Sequence, residues 1–397
     1  MSSIFNYTTD MNQESKNFTR TISPIIISVF AIYLCVGVTL GTIPSLVKNE
    51  LHYSSLIVGA VIGIQFIATL LTRAYAGKIA DTKGAKTGNH RGVIMAMFTG
   101  LIYLASVLLQ DNHLLALGTL FLARIFHGIS ESLAITGALT WGIGLVGHQK
   151  SGKVMTWNGI AMYAGIALGA PMAMYLQSAL GISYVFIVMV ILSALSWLCT
   201  IRLPNLPVDT AHQRTPFYKV IRKISDQGLA LAFSSIGFAC ISSFIALFFT
   251  EKSWIHPSLA FLTFGGFYIL TRIFFSSFPD KYGGYKVAVV SFIIEITGQL
   301  LISFSTSETM AIVGCSLTGI GFSLVFPALG VLAIQKVSPK MRGTALGAYA
   351  AFFDVSLGLA GPIAGIIAGR YGYQSIYFFG AVSAVLSIII LTVKNKK

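Results

Sequence analysis

TRAYAGKIADTKG at residues 72–84 and TRIFFSSFPDKYG at residues 271–283 are two copies of one pattern. The Thr-Arg pair, the Asp and the final Gly keep one register at an offset of 199 residues, from Thr72 to Thr271. The similarity continues in HGISESL at 127–133 and TGIGFSL at 318–324, now at an offset of 191. A chain that repeats its first half in this way is typical of a duplicated membrane bundle, with a binding site between its halves.

The composition agrees with a membrane protein. Hydrophobic residues make up 55% of the chain, charged residues 10%, and the mean hydropathy is +0.79. A soluble protein carries roughly 25% charged residues, and apolar stretches of about 20 residues match the hydrocarbon core of a bilayer. We therefore predict an all-α membrane protein with twelve transmembrane helices in two six-helix, pseudo-symmetric halves. The predicted spans are 21–47, 54–77, 91–110, 114–146, 153–177, 182–201, 227–250, 258–278, 286–305, 309–335, 342–369 and 373–393.

The net charge of +14 is explained by topology. If both termini are cytoplasmic, the tails and inner loops hold 21 of the 27 Lys and Arg residues. An excess of this size on one side follows the positive-inside rule. The charge pattern therefore predicts a multi-pass protein with both termini in the cytoplasm, and it argues against nucleic-acid binding.

The predicted organisation is a polar tail (1–20), a first bundle (21–201), a cytoplasmic linker (202–226), a second bundle (227–393) and a short tail (394–397). The stretch from Pro216 to Ile224 is either a short basic amphipathic helix or part of a solvated linker. The four cysteines all fall in apolar spans, so we predict neither a disulfide framework nor a metal site. The chain has no phosphate-binding motif and no enzyme signature, so we expect no cofactor and transport driven by a gradient.

The loop after span 2 contains Gly77, Asp81, Gly84 and Lys86, and its second copy contains Asp280, Lys281 and Gly283. The first copy resembles the Gly-x-x-x-Asp-Arg-x-Gly-Arg/Lys-Arg/Lys motif of the major facilitator superfamily, with Thr82 in place of the Arg. The resemblance implies the fold of that superfamily and two loops that gate the cytoplasmic side. The alternative is that each loop is simply a tight turn.

Span 4 carries Arg124, His127 and Glu131 on one helical face, at spacings of three, four and seven residues. A charged group in a bilayer costs at least ~2.5 kcal/mol, so such residues face a cavity or each other. Arg124-x-x-His127-Gly128 resembles the Arg-x-x-Gln-Gly pattern that this superfamily associates with proton transfer in drug antiporters. We predict that Glu131 carries a proton and that Arg124 tunes it. The alternative is an ion pair that neutralises Arg124, and His127 is interpreted as a packed, neutral residue.

Asp354 in span 11 aligns with Tyr163 in the first half, so the repeat leaves this carboxyl group without an acidic counterpart. Such an unmatched residue is a second candidate for proton coupling or for binding a cationic group. Glu295 in span 9 is interpreted as structural. Further candidates for the substrate cavity are Tyr33, Gln65, Arg73, Trp157 and Asn158, each of which has an alternative role in helix contact or as an interfacial anchor.

Small residues and prolines recur in spans 5 and 11, at Gly165, Gly169, Pro171, Gly358, Gly361 and Pro362. This array resembles the Gly-x-x-x-Gly-Pro antiporter motif of exporters in the superfamily, although span 5 contains the additional Ala170. Close helix packing is the alternative explanation. Segments such as LARIFHGISES and MTWNGIAMYAGIALGAP are similar to the YhhS/YfcJ-like bacterial transporters of the inner membrane.

The sequence therefore predicts a secondary transporter in the bacterial inner membrane that exports a small organic compound in exchange for protons. Proton-coupled uptake of a sugar, opine or organic acid is the alternative, and a membrane sensor that does not transport is a second one. The expected partners are the small-molecule substrate, protons and the lipid bilayer. Transporters of this type can work as monomers, so we expect a monomer.

Overall fold

The structure is a computed structural model that describes residues 2–206, 217–338 and 341–395. All regular elements in these ranges are helices. The thirteen α-helices are α1 (Ser2–Ser45), α2 (Ser55–Thr82), α3 (Ala85–Leu108), α4 (His113–Val146), α5 (Ser151–Leu180), α6 (Ile182–Thr200), α7 (Phe217–Glu251), α8 (Pro257–Phe275), α9 (Phe278–Tyr282), α10 (Gly284–Ser303), α11 (Glu308–Gln335), α12 (Arg342–Tyr371) and α13 (Gln374–Asn395).

Twelve of these helices are long and apolar enough to cross a membrane, and α9 is a short helix in a loop. The number of spans and the all-helical fold are as predicted. Spans 1–8 correspond to α1–α8, and spans 9–12 correspond to α10–α13. Consecutive spans cross in alternate directions, so the start of α1, the end of α6, the start of α7 and the end of α13 lie on one face of the bundle. We name this the linker face and the opposite one the far face.

The two repeated loops stop their helices in the same way. Gly84 and Gly283 have φ values of +94° and +89°, a conformation that residues with a Cβ rarely adopt. The next helix begins at once, at Ala85 in the first half and at Gly284 in the second. The duplicated glycines therefore reverse the chain between spans at equivalent positions.

Two predicted polar segments contain helix. The stretch assigned to the first tail is part of α1, which begins at Ser2 and meets its first proline at Pro24. At the other end of the first half, α7 begins at Phe217, so residues 217–224, interpreted either as a short amphipathic helix or as part of a solvated linker, are the start of span 7. Val220 and Ile224 are fully buried there, which explains why this segment continues the span. Residues 207–216 of the linker lie outside the described ranges.

The halves meet mainly through α2 against α12 and through α5 against α8. Near the far face, α2 and α12 approach so closely that a Cβ at Gly59 would overlap the Gly361 carbonyl group. The hydroxyl groups of Ser55 and Tyr373 share a hydrogen bond of 3.1 Å at the end of this contact. The far face is therefore closed between α2 and α12.

We expect Gly361→Ala to open this contact, although alanine normally favours a helix over glycine. The added Cβ would lie 2.5 Å from the Gly59 carbonyl oxygen. Overpacking of this kind costs about 1–3 kcal/mol, which is enough to change the ratio of closed to open molecules tenfold. Spin labels at Ser54→Cys and Tyr371→Cys, both exposed, in a chain whose four native cysteines are alanine, would report a longer distance.

Gly369→Ala is the matched control, since a Cβ there meets nothing within 4 Å on the same helix. The control should leave the distance distribution unchanged. Equal distributions for the Gly361→Ala variant and the control would contradict the proposed role of this glycine contact.

Candidate functional site

An ion pair joins the two halves inside the bundle. Arg73 on α2 binds Asp354 on α12 with two hydrogen bonds, from Nε to Oδ2 and from Nη2 to Oδ1, the latter 2.9 Å long. The Asp354 side chain is almost completely buried. Both residues were predicted for the site separately, and their pairing across 281 residues was not predicted.

Glu131 on α4 lies in a second set of hydrogen bonds, within the first half. Its Oε1 accepts a hydrogen bond of 2.9 Å from the hydroxyl group of Tyr33 on α1. Its Oε2 accepts one of 2.8 Å from Nε2 of Gln65 on α2. Glu131 is 5% exposed, so both carboxyl oxygens bind neutral donors away from solvent.

The ion pair and the Glu131 network form one polar cluster. Arg73 is within electrostatic range of Glu131 and Tyr33 as well as of its partner Asp354. Two carboxyl groups, one from each half, therefore share the field of one guanidinium group. The structure brings together five residues that the sequence had nominated, namely Tyr33, Gln65, Arg73, Glu131 and Asp354.

Arg124 lies elsewhere, contrary to the expected contact with Glu131. Its Nε donates to the Val61 carbonyl, its Nη2 to the Ile62 carbonyl, and its Nη1 to the Thr39 hydroxyl group, at 2.9–3.0 Å. Arginine is suited to such a site because its donors form a rigid fork. Arg124 is fully buried, and backbone carbonyl groups stabilise its charge. The geometry gives it a role in joining α4 to α1 and α2.

His127 is packed as expected. It is fully buried, and its Nδ1 lies 3.3 Å from the hydroxyl group of Tyr103. In the second half, Glu295 is also fully buried and accepts a hydrogen bond of 2.5 Å from Ser234. Both residues face helices of their own half rather than the polar cluster.

The remaining cavity candidates, Trp157 and Asn158, lie on α5. Trp157 is 49% exposed, and Asn158 is mostly buried, with Nδ2 3.6 Å from the sulfur of Met162. The structure does not bring either of them into the polar cluster. They lie instead beside Gly159, in a part of α5 that faces the second half.

The first repeated loop is attached to its own half. Lys86 donates hydrogen bonds of 2.8 and 2.7 Å to the carbonyl groups of Ile201 and Leu203. Gly77 and Gly84 are buried and Asp81 is partly buried, whereas Asp280, Lys281 and Gly283 of the second loop are exposed. These hydrogen bonds of Lys86 therefore do not bridge the halves.

The two glycine–proline arrays pack against different helices. Gly165 and Gly169 on α5 contact the backbone of α1 near Leu34 and Gly37, inside the first half. Gly358 and Gly361 on α12 contact α2, which belongs to the other half. Pro171 and Pro362 lie inside these helices. The second array thus forms part of the boundary between the halves.

An aromatic cluster beside Arg272 was missed at the level of sequence. Tyr163 on α5 stacks on Tyr268 of α8 with ring centroids 3.8 Å apart, and it meets the ring of Phe238 on α7 at 5.6 Å. The signal was present in the repeat, because Arg272 aligns with Arg73 and Tyr163 aligns with Asp354. Arg272 donates a hydrogen bond to the Tyr268 hydroxyl group, and Tyr163 stacks on the Tyr268 ring, so the second pair is linked across the halves through Tyr268.

Two related six-helix halves that enclose a polar cluster form the arrangement of a membrane transporter, which binds its cargo between the halves. The comparison of sequences gives the family. The profile of the Major Facilitator Superfamily matches residues 25–254 and 228–397, and the chain belongs to this superfamily of transporters.

Relatives are similar along most of the chain. An uncharacterized MFS-type transporter of Salmonella typhimurium is 38% identical over 372 residues, which cover 94% of this chain and 95% of the relative. One from Burkholderia mallei is 38% identical over 376 residues, covering 94% and 92%.

Solved structures share the fold at low identity. The human organic anion transporter MFSD10 has a TM-score of 0.72 at 14% identity, with 94% of this chain and 99% of that chain covered. The nucleoside transporter NupG has a TM-score of 0.68 at 17% identity, with 95% of this chain and 99% of that chain covered.

We expect Arg124→Lys to lower the stability of the protein. A single ammonium group cannot replace three donors, and each buried acceptor left without a partner costs about 1–3 kcal/mol. The thermal unfolding midpoint in detergent should fall by roughly 5 °C or more. Arg91→Lys, at an exposed position of α3, is the control, and equal midpoints for the two variants would exclude the joining role of Arg124.

Proposed function

We propose that this chain is a proton-coupled secondary transporter that exports a small organic compound from the cytoplasm, and that it acts as a monomer in a bacterial inner membrane. The observation that carries the proposal is the shared guanidinium group of Arg73, placed between a carboxyl group of the first half and one of the second. A proton on Asp354 removes the ion pair with Arg73 and leaves Glu131 of the first half within electrostatic range of this cation.

In the first step of the proposed cycle, Asp354 takes up a proton while the far face is open, and it releases this proton to the cytoplasmic side when closure of that face restores its ion pair with Arg73. Neutral Asp354 no longer forms an ion pair with Arg73, and α2 loses its charged contact with α12. Glu131 then remains as a carboxyl group within electrostatic range of Arg73. Proton binding thus moves the cation's electrostatic partner from the second half to the first.

The second step is the movement of the halves. The ion pair and the glycine contact near the far face lie on the same two helices, α2 and α12. Release of the ion pair weakens the closed far face, so the bundle can rock open there. With the linker face in the cytoplasm, as the positive-inside rule indicates, the far face closed by this contact is the side from which Asp354 takes up its proton.

The remaining candidate residues take supporting roles in this cycle. Tyr33 and Gln65 hold Glu131 and donate to its carboxylate form. The loops around Asp81 and Asp280 gate the linker face when the halves close there. Trp157 and Asn158 line the path of the substrate, and Arg124 fixes the helix that carries Glu131.

The proposed direction, export, is supported by the glycine–proline arrays of α5 and α12 and by the resemblance to the YhhS/YfcJ-like exporters. The same carboxyl groups would serve proton-coupled uptake, so direction needs a direct test. Inside-out vesicles with an acidified lumen and a pH-quenched dye provide it, because an antiporter releases protons when its substrate is added outside.

We expect dye recovery with the wild-type chain for at least one compound of a broad panel, and no recovery with Asp354→Asn or Glu131→Gln. Either substitution removes a proton-binding group but keeps its size. Asp111→Asn, on an exposed loop, should behave as wild type. Lumenal acidification by the same compound in right-side-out vesicles would instead indicate uptake by symport, and recovery that survives both substitutions would exclude these residues as the coupling site.

We also expect Asp354→Asn to open the far face without any substrate. Removing one member of a buried ion pair is strongly destabilising, by about 3–5 kcal/mol, and here the strain can be relieved by separation of α2 from α12. Spin labels at positions 54 and 371 should show a second, longer distance in this variant and not in Asp111→Asn. A distance distribution identical to that of the wild type would contradict the proposal that the ion pair keeps the far face closed.

A further inference from the structure

Arg272 on α8 is a buried cation that has not been matched with an anion. It is 8% exposed, and its Nη2 donates a hydrogen bond of 2.7 Å to the hydroxyl group of Tyr268. Its Nε is buried without a hydrogen bond. Arg272 forms no ion pair with any described residue. An uncompensated charge in this environment is costly, so such a group normally faces a partner or a functional cavity.

The internal repeat shows which residue stands where an anionic partner of Arg272 would be expected. Arg272 is the equivalent of Arg73 at the offset of 199, and Tyr163 is the equivalent of Asp354 at the offset of 191. The equivalence holds in three dimensions, because Arg272 faces α5 and lies within electrostatic range of Tyr163. The first half supplies an arginine that the second half neutralises, whereas the corresponding arginine of the second half faces a phenol.

There is room beside this arginine. A Cβ built on Gly159, one turn before Tyr163 on α5, would have Arg272 Nη2 at 3.9 Å as its one neighbour within 4 Å. The neighbouring Trp157 is half exposed. Gly159 therefore leaves the space between α5 and Arg272 Nη2 unfilled by any other side chain within 4 Å of that position.

The side chains around Arg272 are aromatic and belong to both halves. Tyr163 of the first half stacks on Tyr268, and Arg272 lies over the Tyr268 ring at 5.4 Å from its centroid. Phe238 and Phe322 of the second half meet the Tyr163 ring at 5.6 and 6.2 Å. Aromatic rings stack on flat apolar groups, and a guanidinium group binds a carboxylate through two parallel hydrogen bonds.

We propose that Arg272 binds the carboxylate of the transported compound, and that this compound is an organic monoanion with a flat, apolar body. The carboxylate binds Arg272 from the side of Gly159, and the flat body packs along the edge of the aromatic cluster that contains Tyr163 and Tyr268. Substrate binding then joins α5 to α8 through an ion pair, as Asp354 joins α12 to α2. The inference rests on the proposed transport function and names its substrate class.

The first experiment tests the site without any ligand. Tyr163→Asp should place a carboxylate opposite Arg272. Tyr163→Asn removes the same aromatic ring but adds no charge. We expect the unfolding midpoint of the Asp variant to exceed that of the Asn variant by roughly 3 °C or more. The difference should disappear when Arg272→Gln is added to both. An Asp variant no more stable than the Asn variant would overturn the proposal.

The second experiment measures binding to the full chain in lipid nanodiscs by isothermal titration calorimetry. The probes are 1-naphthoate and the uncharged 1-naphthamide, which have the same flat body. We expect naphthoate to bind at least tenfold more tightly than naphthamide to the wild type and to Arg370→Gln, an exposed control. Arg272→Gln and Tyr163→Asp should both lose this preference. Equal affinity of the wild type for the two probes, or a preference that survives Arg272→Gln, would refute the assignment.

The two proposals fail in different ways. Carboxylate preference without proton movement in vesicles would retain the anion site and reject proton-coupled transport. Proton release driven by uncharged compounds, with no carboxylate preference, would retain the transporter and reject the anion site.

Discussion

The neutralisation of charge inside an apolar bundle is the constraint on which this structure depends. Arg73 and Asp354 come from different halves and neutralise each other where water is largely excluded. The same two helices, α2 and α12, also bring Gly59 against Gly361 near the far face. The same arginine acts on Glu131. This ion pair thus links the two halves and contributes the charge around which the polar cluster is arranged.

Duplication gives the bundle its symmetry, and its chemistry comes from the positions where the copies differ. Arg73 and Arg272 occupy equivalent places, but their opposite residues are an aspartate and a tyrosine. The closest helix contacts at the two interfaces also involve different small residues. On one side Gly358 of α12 packs on Ile67 of α2, and on the other Gly265 of α8 packs on Ala167 of α5. The fold therefore contains two similar interfaces between the halves. The charges of the first neutralise each other, whereas the second has a net positive charge.

Much of the fold could be predicted because hydropathy and helix length are local properties of the sequence, and twelve spans followed from them. Glu131, Asp354 and Arg73 could be nominated because charges are costly in a bilayer. Their geometry could not, since the Arg73–Asp354 pair depends on how two distant helices are rotated. Arg124 shows the same limit: its spacing places it on one face with Glu131, but only packing reveals that its donors meet the carbonyl groups of α2.

The attachments of the first loop have a mechanical consequence. Lys86 holds the carbonyl groups of Ile201 and Leu203, and the indole of Trp141 donates to the Pro204 carbonyl. The chain that leaves α6 is therefore fastened to α3 and α4 as far as Pro204. In the proposed cycle this segment moves with the first half as part of the same rigid body. The first half therefore ends at Pro204, several residues after the end of α6 at Thr200.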